Sequence, residues 1–245
     1  MNLDGFLRQF ISTSNDEKPN IVSMEKPCGG KWLVPEDKME QFYKKLVKYI
    51  IKKNTNCLLV EKMQEIHPLV LDIDIKYTDK ITDHQYTEET ISKIVTFIRL
   101  NLSDLLHLDD DNRLNEVWVM EKDKPYPCQV IKYASKDGIH IALPNIIIKK
   151  STYRKIVSIL KDQGVIESIF NETCEIKPSN DDLLDGCFSG WQPNGCSKKN
   201  EEPYKLTHVY QLDDNYQLQK VDDEIFEESY TNPLKILKKL SMIVS

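Results

Sequence analysis

The sequence has no long apolar run. No stretch of about 18 uncharged apolar residues occurs, and the richest run, residues 139–148, contains a histidine, a proline and an asparagine. This pattern excludes a transmembrane helix. Charged residues also interrupt the N-terminus where the apolar core of a secretory signal would lie. We therefore expect an intracellular protein with no membrane partner.

Cysteine and glycine are scarce, with six and eight residues among 245. No two cysteines form a C-x-x-C pair, and this cysteine content is typical of reduced thiols. A zinc site could be drawn from Cys174, Cys187, Cys196 and His208, but structural zinc sites usually carry closely spaced ligand pairs, so we predict none. A G-x-x-x-x-G-K-[ST] motif is also missing, which excludes a P-loop ATPase in this chain.

The charge balance is acidic. Lysine and arginine number 33 against 39 aspartate and glutamate, which gives a formal net charge of −6. A wholly electrostatic DNA binder is therefore disfavoured, although local basic faces remain compatible with nucleic-acid binding.

Hydrophobic periodicity predicts strands and helices that intermingle without strict alternation, which favours an α+β fold over a doubly wound parallel sheet. The Asp137-Gly138 dipeptide predicts a hairpin turn. The polar stretch 171–203 is long enough to suggest a functional loop. Predicted strands span residues 57–62, 69–77, 116–121, 129–134, 139–143, 206–212 and 217–221. Predicted helices begin at Pro35 and Ser151 and span residues 87–107 and 232–245.

The strand at residues 69–77 carries two acids on one face. Asp72 and Asp74 alternate with leucine and isoleucine, and strand geometry places their Cα atoms about 7 Å apart. Two unpaired carboxylates this close are costly to bury, so a positive group must accompany them. A pair of basic side chains is one interpretation, and exposure of the acids to water at an edge of the sheet is another. Divalent cations, Mg²⁺ or Mn²⁺, are the functional one.

Further polar residues complete the set needed for phosphate chemistry. His140 follows the predicted turn, where Ser135 and Lys136 add hydrogen-bond donors for a phosphate. The segment 180–185 offers a third acid, and Lys198 lies in a glycine-opened basic loop. Together these are the parts of a two-metal nucleotidyl-transfer site.

These segments resemble the archaeo-eukaryotic primase superfamily, and most closely the catalytic domain at the N-terminus of primase-helicases of large cytoplasmic DNA viruses. The resemblance spans roughly Lys31 to Leu212, most of the chain, and the D-x-D strand followed by the G-I-H strand is its moderately specific part. The segments that carry it are residues 58–62 (LLVEK), 68–77 (PLVLDIDIKY), 136–141 (KDGIHI) running on to Pro144, Gly190-Trp191 with Gly195 and Lys198, and 203–207 (PYKLT).

The resemblance implies an αβ N-terminal unit packed on a modified RNA-recognition-type unit, with the active site in the cleft between them. Asp72 and Asp74 would ligate the catalytic metals, His140 would bind the triphosphate, and Lys198 would contact phosphates. A late acid would complete the metal site, a role carried to Asp182, with Asp185 as its rival. The usual serine two residues before the histidine is Gly138 here, so a hydroxyl contact would come from elsewhere, such as Ser135.

The resemblance also sets expectations for domains and partners. Residues 1–230 would form one catalytic domain, and residues 231–245 a helix or linker toward a helicase region that this chain lacks. Single-stranded DNA, nucleoside triphosphates and a helicase are the expected partners, and the host cytoplasm is the expected location. The predicted activity is template-directed primer synthesis.

Two other functions are compatible with parts of the sequence. Asp74-Ile75-Lys76 matches the D-x-K motif of metal-dependent nucleases, with Glu61 or Glu65 as an upstream acid. That interpretation leaves His140 and Lys198 unexplained. The third possibility is a catalytically silent nucleic-acid-binding or replisome-docking module.

Overall fold

The structure is a computed structural model that describes residues 2–13, 18–23, 29–53, 57–106, 116–186, 190–199, 201–213 and 217–243. It contains two antiparallel sheets. The antiparallel pairing and the mixture of helices and strands confirm the α+β class predicted from the sequence. In the part of the chain that is described, no helix is long and apolar enough to cross a membrane.

The first sheet has four short strands in the order β2-β1-β3-β8. Helix α2 follows Pro35, has acidic residues in its first turn that favour the helix dipole, and buries Met39, Phe42 and Leu46 at helical spacing. These side chains pack in one core with helix α1 and the sheet. The elements are α1 (Leu3–Leu7), β1 (Ile21–Ser23), β2 (Lys31–Trp32), α2 (Glu36–Lys53), β3 (Leu59–Lys62) and β8 (Gly190–Trp191).

The second sheet is larger and has the strand order β10-β9-β5-β7-β4, with β6 paired to β7. A second core joins this sheet to helices α3, α4 and α5. The strands are β4 (Ile66–Tyr77), β5 (Glu116–Glu121), β6 (Tyr126–Pro127), β7 (Ser135–Lys149), β9 (Lys205–Leu212) and β10 (Leu218–Lys220). The helices are α3 (Glu88–Leu106), α4 (Lys150–Asp162), α5 (Val165–Thr173), α6 (Asp223–Ser229) and α7 (Pro233–Lys239).

Strand β4 positions the acids. Its odd-numbered residues from Leu69 to Tyr77 are fully buried in the second core, whereas Asp72, Asp74 and Lys76 lie on the opposite, partly exposed face. This alternation confirms the two-faced strand predicted from the sequence.

The hairpin predicted at Asp137-Gly138 is wrong. Both residues lie inside the long strand β7, where Asp137 pairs with Ile75 and Gly138 with Asp74. The Asp137 carboxylate is buried and accepts hydrogen bonds from His84 Nδ1 and from the Gly138 backbone N–H, so its polar group is satisfied within the sheet. The strand predicted at residues 129–134 is also wrong, since these residues form bends and a turn.

The C-terminal segment contributes to both cores. Asn232 caps helix α7 through its side chain, which accepts hydrogen bonds from two backbone N–H groups of the first turn. Leu237 packs in the first core, and Ile236 and Leu240 pack in the second. This helix therefore lies against both halves of the structure.

Candidate active site

A cleft of about 410 Å³ lies where the two sheets face each other. Strands β1, β3 and β8 of the first sheet line one wall, and strands β4 and β7 of the second sheet line the other. The second wall contributes Asp72, Asp74, Lys136 and His140. The structure therefore brings the predicted acid pair, the histidine and both predicted lysines, Lys136 and Lys198, into a single cleft.

The register between β4 and β7 sets the contacts of the acids. Asp72 lies opposite His140, and His140 Nε2 is 3.3 Å from Asp72 Oδ1. Asp74 lies opposite Gly138, and its Oδ1 lies 2.6 Å from the Nζ of Lys136, two residues before Gly138 on β7. Each acid of the pair therefore has a basic neighbour, as in the first interpretation of the acid strand.

The charges around Asp72 favour its ionised form. Burial raises the pKa of Asp72, but His140, Lys136 and Lys198 together outweigh burial and hold the pKa below its ordinary value. For Lys136, burial lowers the pKa, and the carboxylates of Asp74 and Asp72 outweigh it and raise the pKa. The cleft thus stabilises carboxylate and ammonium charges side by side.

The third acid at the cleft is Asp185 and not Asp182. Leu184 forms a bridge to Ile73, and the Asp185 backbone N–H donates to the Asp72 carbonyl (2.8 Å). This antiparallel register places Asp185 opposite Asp72 on the cleft face, because directly opposed residues share a face. Asp182 falls opposite Ile75, which faces the core, and its carboxylate contacts Lys161 Nζ (2.6 Å) outside the cleft.

Two aromatic rings hold the imidazole of His140. The Tyr204 ring stacks on one side at a centroid distance of 3.5 Å, and the Trp191 ring stacks at 4.3 Å. Gly138 makes room for Tyr204, because a Cβ atom at this position would lie 2.4 Å from the Tyr204 hydroxyl oxygen. A serine at position 138 would therefore collide with Tyr204 in the position where its ring stacks on His140.

Of the remaining predicted residues, Lys198 lines the cleft and Ser135 does not. Lys198 lies in the loop after Gly195, whose φ of 81° is in the left-handed region that favours glycine. The Ser135 hydroxyl is buried and accepts a hydrogen bond from the Ile81 backbone N–H at 2.8 Å. Strand alternation turns Ser135 away from the cleft while Lys136 faces it, so the predicted phosphate contact of Ser135 is not supported by its position.

Lys122 and Glu201 form a buried ion pair in the cleft, and the sequence predicts no role for either residue. Their Nζ and Oε2 atoms are 2.6 Å apart, and the side chains are 1% and 9% exposed. Burial lowers the pKa of Lys122, and Glu201 offsets part of that effect. The Lys122 ammonium also lies 3.7 Å from the centroid of the Tyr126 ring. The position of Lys122 directly after the predicted strand 116–121 was the only signal for it in the sequence.

The donor chemistry of the cleft fits a hard divalent cation. Asp72, Asp74 and Asp185 supply carboxylate oxygens, the ligands that Mg²⁺ and Mn²⁺ prefer. Asp72 Oδ1 is buried and lies 3.3 Å from His140 Nε2, but the geometry gives it no hydrogen bond among the described residues. Within the same residues, no three potential ligand groups are already gathered around one point. Asp72, Asp74 and Asp185 are the residues that would hold such a cation. Cys187 of the disfavoured zinc set lies outside the described residues.

An α+β fold with an acid strand and a histidine strand facing one cleft is the arrangement of the archaeo-eukaryotic primase (AEP) class. A family model described as "C962R protein N-terminal AEP domain" matches residues 21–210. The chain belongs to this family. The match includes Asp72, Asp74, Asp185, His140 and Lys198, the cleft residues discussed above.

Two viral proteins are similar to the chain. "Putative helicase 184R" of Invertebrate iridescent virus 6 is 28% identical over 207 residues, which cover 77% of this chain and 21% of that protein. "Putative helicase L207/L206" of Acanthamoeba polyphaga mimivirus is 25% identical over 197 residues, which cover 74% of this chain and 18% of that protein. The chain therefore spans about a fifth of the length of these relatives.

Proposed function

We propose that the chain is the catalytic domain of a viral primase that joins nucleoside triphosphates on a single-stranded DNA template. The observation that carries this proposal is the shared cleft, in which three carboxylates lie beside His140, Lys136 and Lys198. Acids that bind divalent cations and bases that bind a triphosphate are both needed for nucleotidyl transfer.

In this proposal Asp72, Asp74 and Asp185 hold Mg²⁺ or Mn²⁺. Such ions lower the pKa of the attacking 3′-hydroxyl and stabilise charge on the α-phosphate. Asp72 is suited to this role because its neighbours hold its pKa below the ordinary value, so that it is ionised at neutral pH. Asp185 comes close to Asp72 through the backbone hydrogen bond between them.

The basic side chains of the cleft bind the triphosphate. Lys136 and Lys198 contribute ammonium groups, which donate to phosphate oxygens. The His140 ring is fixed by Tyr204 and Trp191, and its Nε2 lies at the acid strand, 3.3 Å from Asp72 Oδ1. A fixed ring orients its nitrogen toward a phosphate at little entropic cost.

The positions of the remaining acids weaken the nuclease alternative. Glu61 lies on the face of β3 that points away from the cleft, since Val60 and Lys62 line the cleft and Glu61 is fully buried. Its carboxylate accepts hydrogen bonds from Tyr43 and from the C-terminal segment. Glu65 is exposed and does not line the cleft. Neither candidate upstream acid of the D-x-K motif, Glu61 or Glu65, therefore lies at this site.

Synthesis assays separate the proposed function from both alternatives. The purified chain is incubated with Mn²⁺, labelled nucleoside triphosphates and a single-stranded DNA template. Wild type should extend products, and Asp72→Asn or Asp74→Asn should reduce the rate by at least 100-fold. Asp123→Asn is the matched control, because this acid pairs with Lys205 at the surface. Template degradation without triphosphates would indicate a nuclease.

Mn²⁺ binding tests the silent-module alternative. Wild type should bind Mn²⁺ in a calorimetric titration, and Asp72→Asn with Asp74→Asn should abolish that binding. Unchanged Mn²⁺ binding in the double variant, with no synthesis by wild type, would contradict the proposal.

The same proposal includes the biological setting. The two relatives are named as helicases and are about five times longer than the matched region, so we propose that this domain works with a helicase, in the same chain or in a replisome. Residues 1–230 would form most of the catalytic domain, with helix α7 packed on both of its cores before the chain leads toward the helicase. Viral genome replication in the host cytoplasm is the proposed setting.

A further inference from the structure

A second cavity, of about 250 Å³, opens beside the cleft. Five residues line both cavities, so the second one is continuous with the acid site. It extends from Asp74 past Lys76 to Gln129 and Val130. The shared residues are Asp74, Tyr126, Lys136, Lys198 and Glu201.

The far end of this cavity is formed by Cys128, Gln129 and Val130, the first residues of the β6–β7 turn (residues 128–134). The Tyr133 backbone N–H donates to the Val130 carbonyl at 2.9 Å, which closes a β-turn. The Ala134 backbone N–H donates to the Tyr77 carbonyl at 2.9 Å and so ties the turn to strand β4. The turn is thus held by hydrogen bonds at its tip and at its base.

This turn presents apolar side chains to solvent. Ile131 is fully exposed and Val130 is 52% exposed. Two adjacent exposed aliphatic residues on a hydrogen-bonded turn beside a candidate active site form a small apolar platform. Such a platform is typical of a contact surface.

Lysines surround the platform. The ammonium of Lys132 lies 5.2 Å from the centroid of the Tyr133 ring, and that of Lys76 lies 5.9 Å from the same centroid. Lys136 and Lys198 continue this basic path toward the acids. Asp74 and Glu201 also line this cavity and Lys136 pairs with Asp74, so Lys76 and Lys132 supply the positive charge next to the turn. Apolar or aromatic surfaces that alternate with lysines suit a single nucleic-acid strand, whose bases stack and whose phosphates pair with the ammonium groups.

We propose that the β6–β7 turn and the second cavity bind a single strand of nucleic acid and lead it to Asp74. Bases would pack on Val130, Ile131 and Tyr133, and phosphates would contact Lys132 and Lys76. The direction of the strand toward the acids rests on the proposed function. Binding of the strand to the turn does not depend on catalysis.

The test measures binding by the full chain without triphosphates or divalent metal. Fluorescence anisotropy with a labelled oligothymidylate reports the affinity. The Val130→Ser/Ile131→Ser variant should bind about 5- to 20-fold more weakly, because the bases would lose the apolar contact area of two exposed aliphatic side chains. Lys132→Ala should reduce the slope of log K against log salt by about 0.7, as expected when one phosphate contact to a single strand is lost. Ile225→Ser, at a half-exposed isoleucine of helix α6, is the matched control and should bind like wild type.

Each outcome has one meaning for this inference. Oligothymidylate affinity that is unchanged in the Val130→Ser/Ile131→Ser variant, or no binding by wild type, overturns it. A variant that binds DNA normally but loses activity only with a helicase present points to a protein-docking turn and also overturns it. If the turn variants weaken DNA binding while wild type never synthesises primers, the inference stands and the proposed function fails.

Discussion

His140 lies directly opposite Asp72 in the ladder between β4 and β7, with its Nε2 3.3 Å from Asp72 Oδ1. Opposed residues of antiparallel strands share a face, so this register places the imidazole and the acid pair on one wall of the cleft. Tyr204 and Trp191 then fix the ring by stacking. The pairing of β4 with β7 thus brings His140 and Asp72, which are distant in sequence, next to each other.

The first prediction concerns the third acid. Asp185 lines the cleft and Asp182 contacts Lys161 outside it. We expect Asp185→Asn to lower the rate of primer synthesis by at least 100-fold and to weaken Mn²⁺ binding, because a carboxylate ligand is lost. Asp182→Asn is the matched control and should retain wild-type rate and binding. The assignment is wrong if the two variants exchange these behaviours.

The second prediction concerns the fit between Gly138 and Tyr204. In Gly138→Ser the added Cβ meets the Tyr204 hydroxyl, so the tyrosine ring must move away from His140. We expect KM for the nucleoside triphosphate to rise about tenfold, with a smaller change in kcat, in steady-state synthesis assays. Circular dichroism should show an unchanged fold.

A double variant tests the cause of that loss. Tyr204→Phe removes the hydroxyl that the new side chain meets and keeps the ring that stacks on His140. Gly138→Ser combined with Tyr204→Phe should therefore recover most of the triphosphate affinity. If the double variant is as weak as Gly138→Ser alone, displacement of the tyrosine is not the cause.

The third prediction compares a buried ion pair with an exposed one. Glu201→Ala leaves the buried Lys122 ammonium without its carboxylate, and breaking a buried pair from one side costs about 3–5 kcal/mol. Asp123→Ala breaks the half-exposed pair with Lys205, for which the expected cost is below about 1 kcal/mol. Urea unfolding of the two variants measures both losses. Equal losses would show that Lys122 is solvated without Glu201.

Hydrophobic periodicity correctly predicted the helices and strands whose apolar residues recur at regular spacing. Helix α3 and strands β4 and β5 match the predicted residues 87–107, 69–77 and 116–121 within a few residues. Each of these segments buries one face against a core, so the spacing of its apolar residues follows the period of a helix or a strand. Helix α5 (Val165–Thr173) was not predicted, and only its residues 171–173 fall in the polar stretch that was interpreted as a loop.

The errors at the site arise from long-range pairing. The Asp137-Gly138 dipeptide is a turn signal locally, but Asp137 is satisfied by His84, which is distant in sequence. Likewise, Asp182 and Asp185 are close in sequence and differ only in their register against β4. The local sequence shows neither the contact between His84 and Asp137 nor the register of residues 182–185 against β4. The residue types of the site were therefore predictable, and the choice between neighbouring acids was not.

The last prediction concerns the pH dependence of stability. Burial raises the pKa of Glu61 to about 7, although hydrogen bonds from Met242, Tyr43 and Ser241 lower it in part. The folded state therefore holds a proton that the unfolded state releases near pH 4.5. It follows that this group's contribution to the free energy of unfolding is fully present below about pH 4.5 and is lost as the pH rises through about 7.

Glu61→Gln removes this titration and keeps one oxygen as an acceptor. We expect the variant to be more stable than wild type above pH 7 by roughly 3 kcal/mol, with the difference shrinking toward pH 4.5. Urea unfolding between pH 5 and 8 measures the difference. Glu40→Gln on helix α2 is the control, because the hydrogen bond from Lys44 lowers the pKa of this exposed acid and gives any pH dependence the opposite sign. Parallel stability curves for wild type and Glu61→Gln would show that Glu61 is already ionised in the folded protein at pH 5.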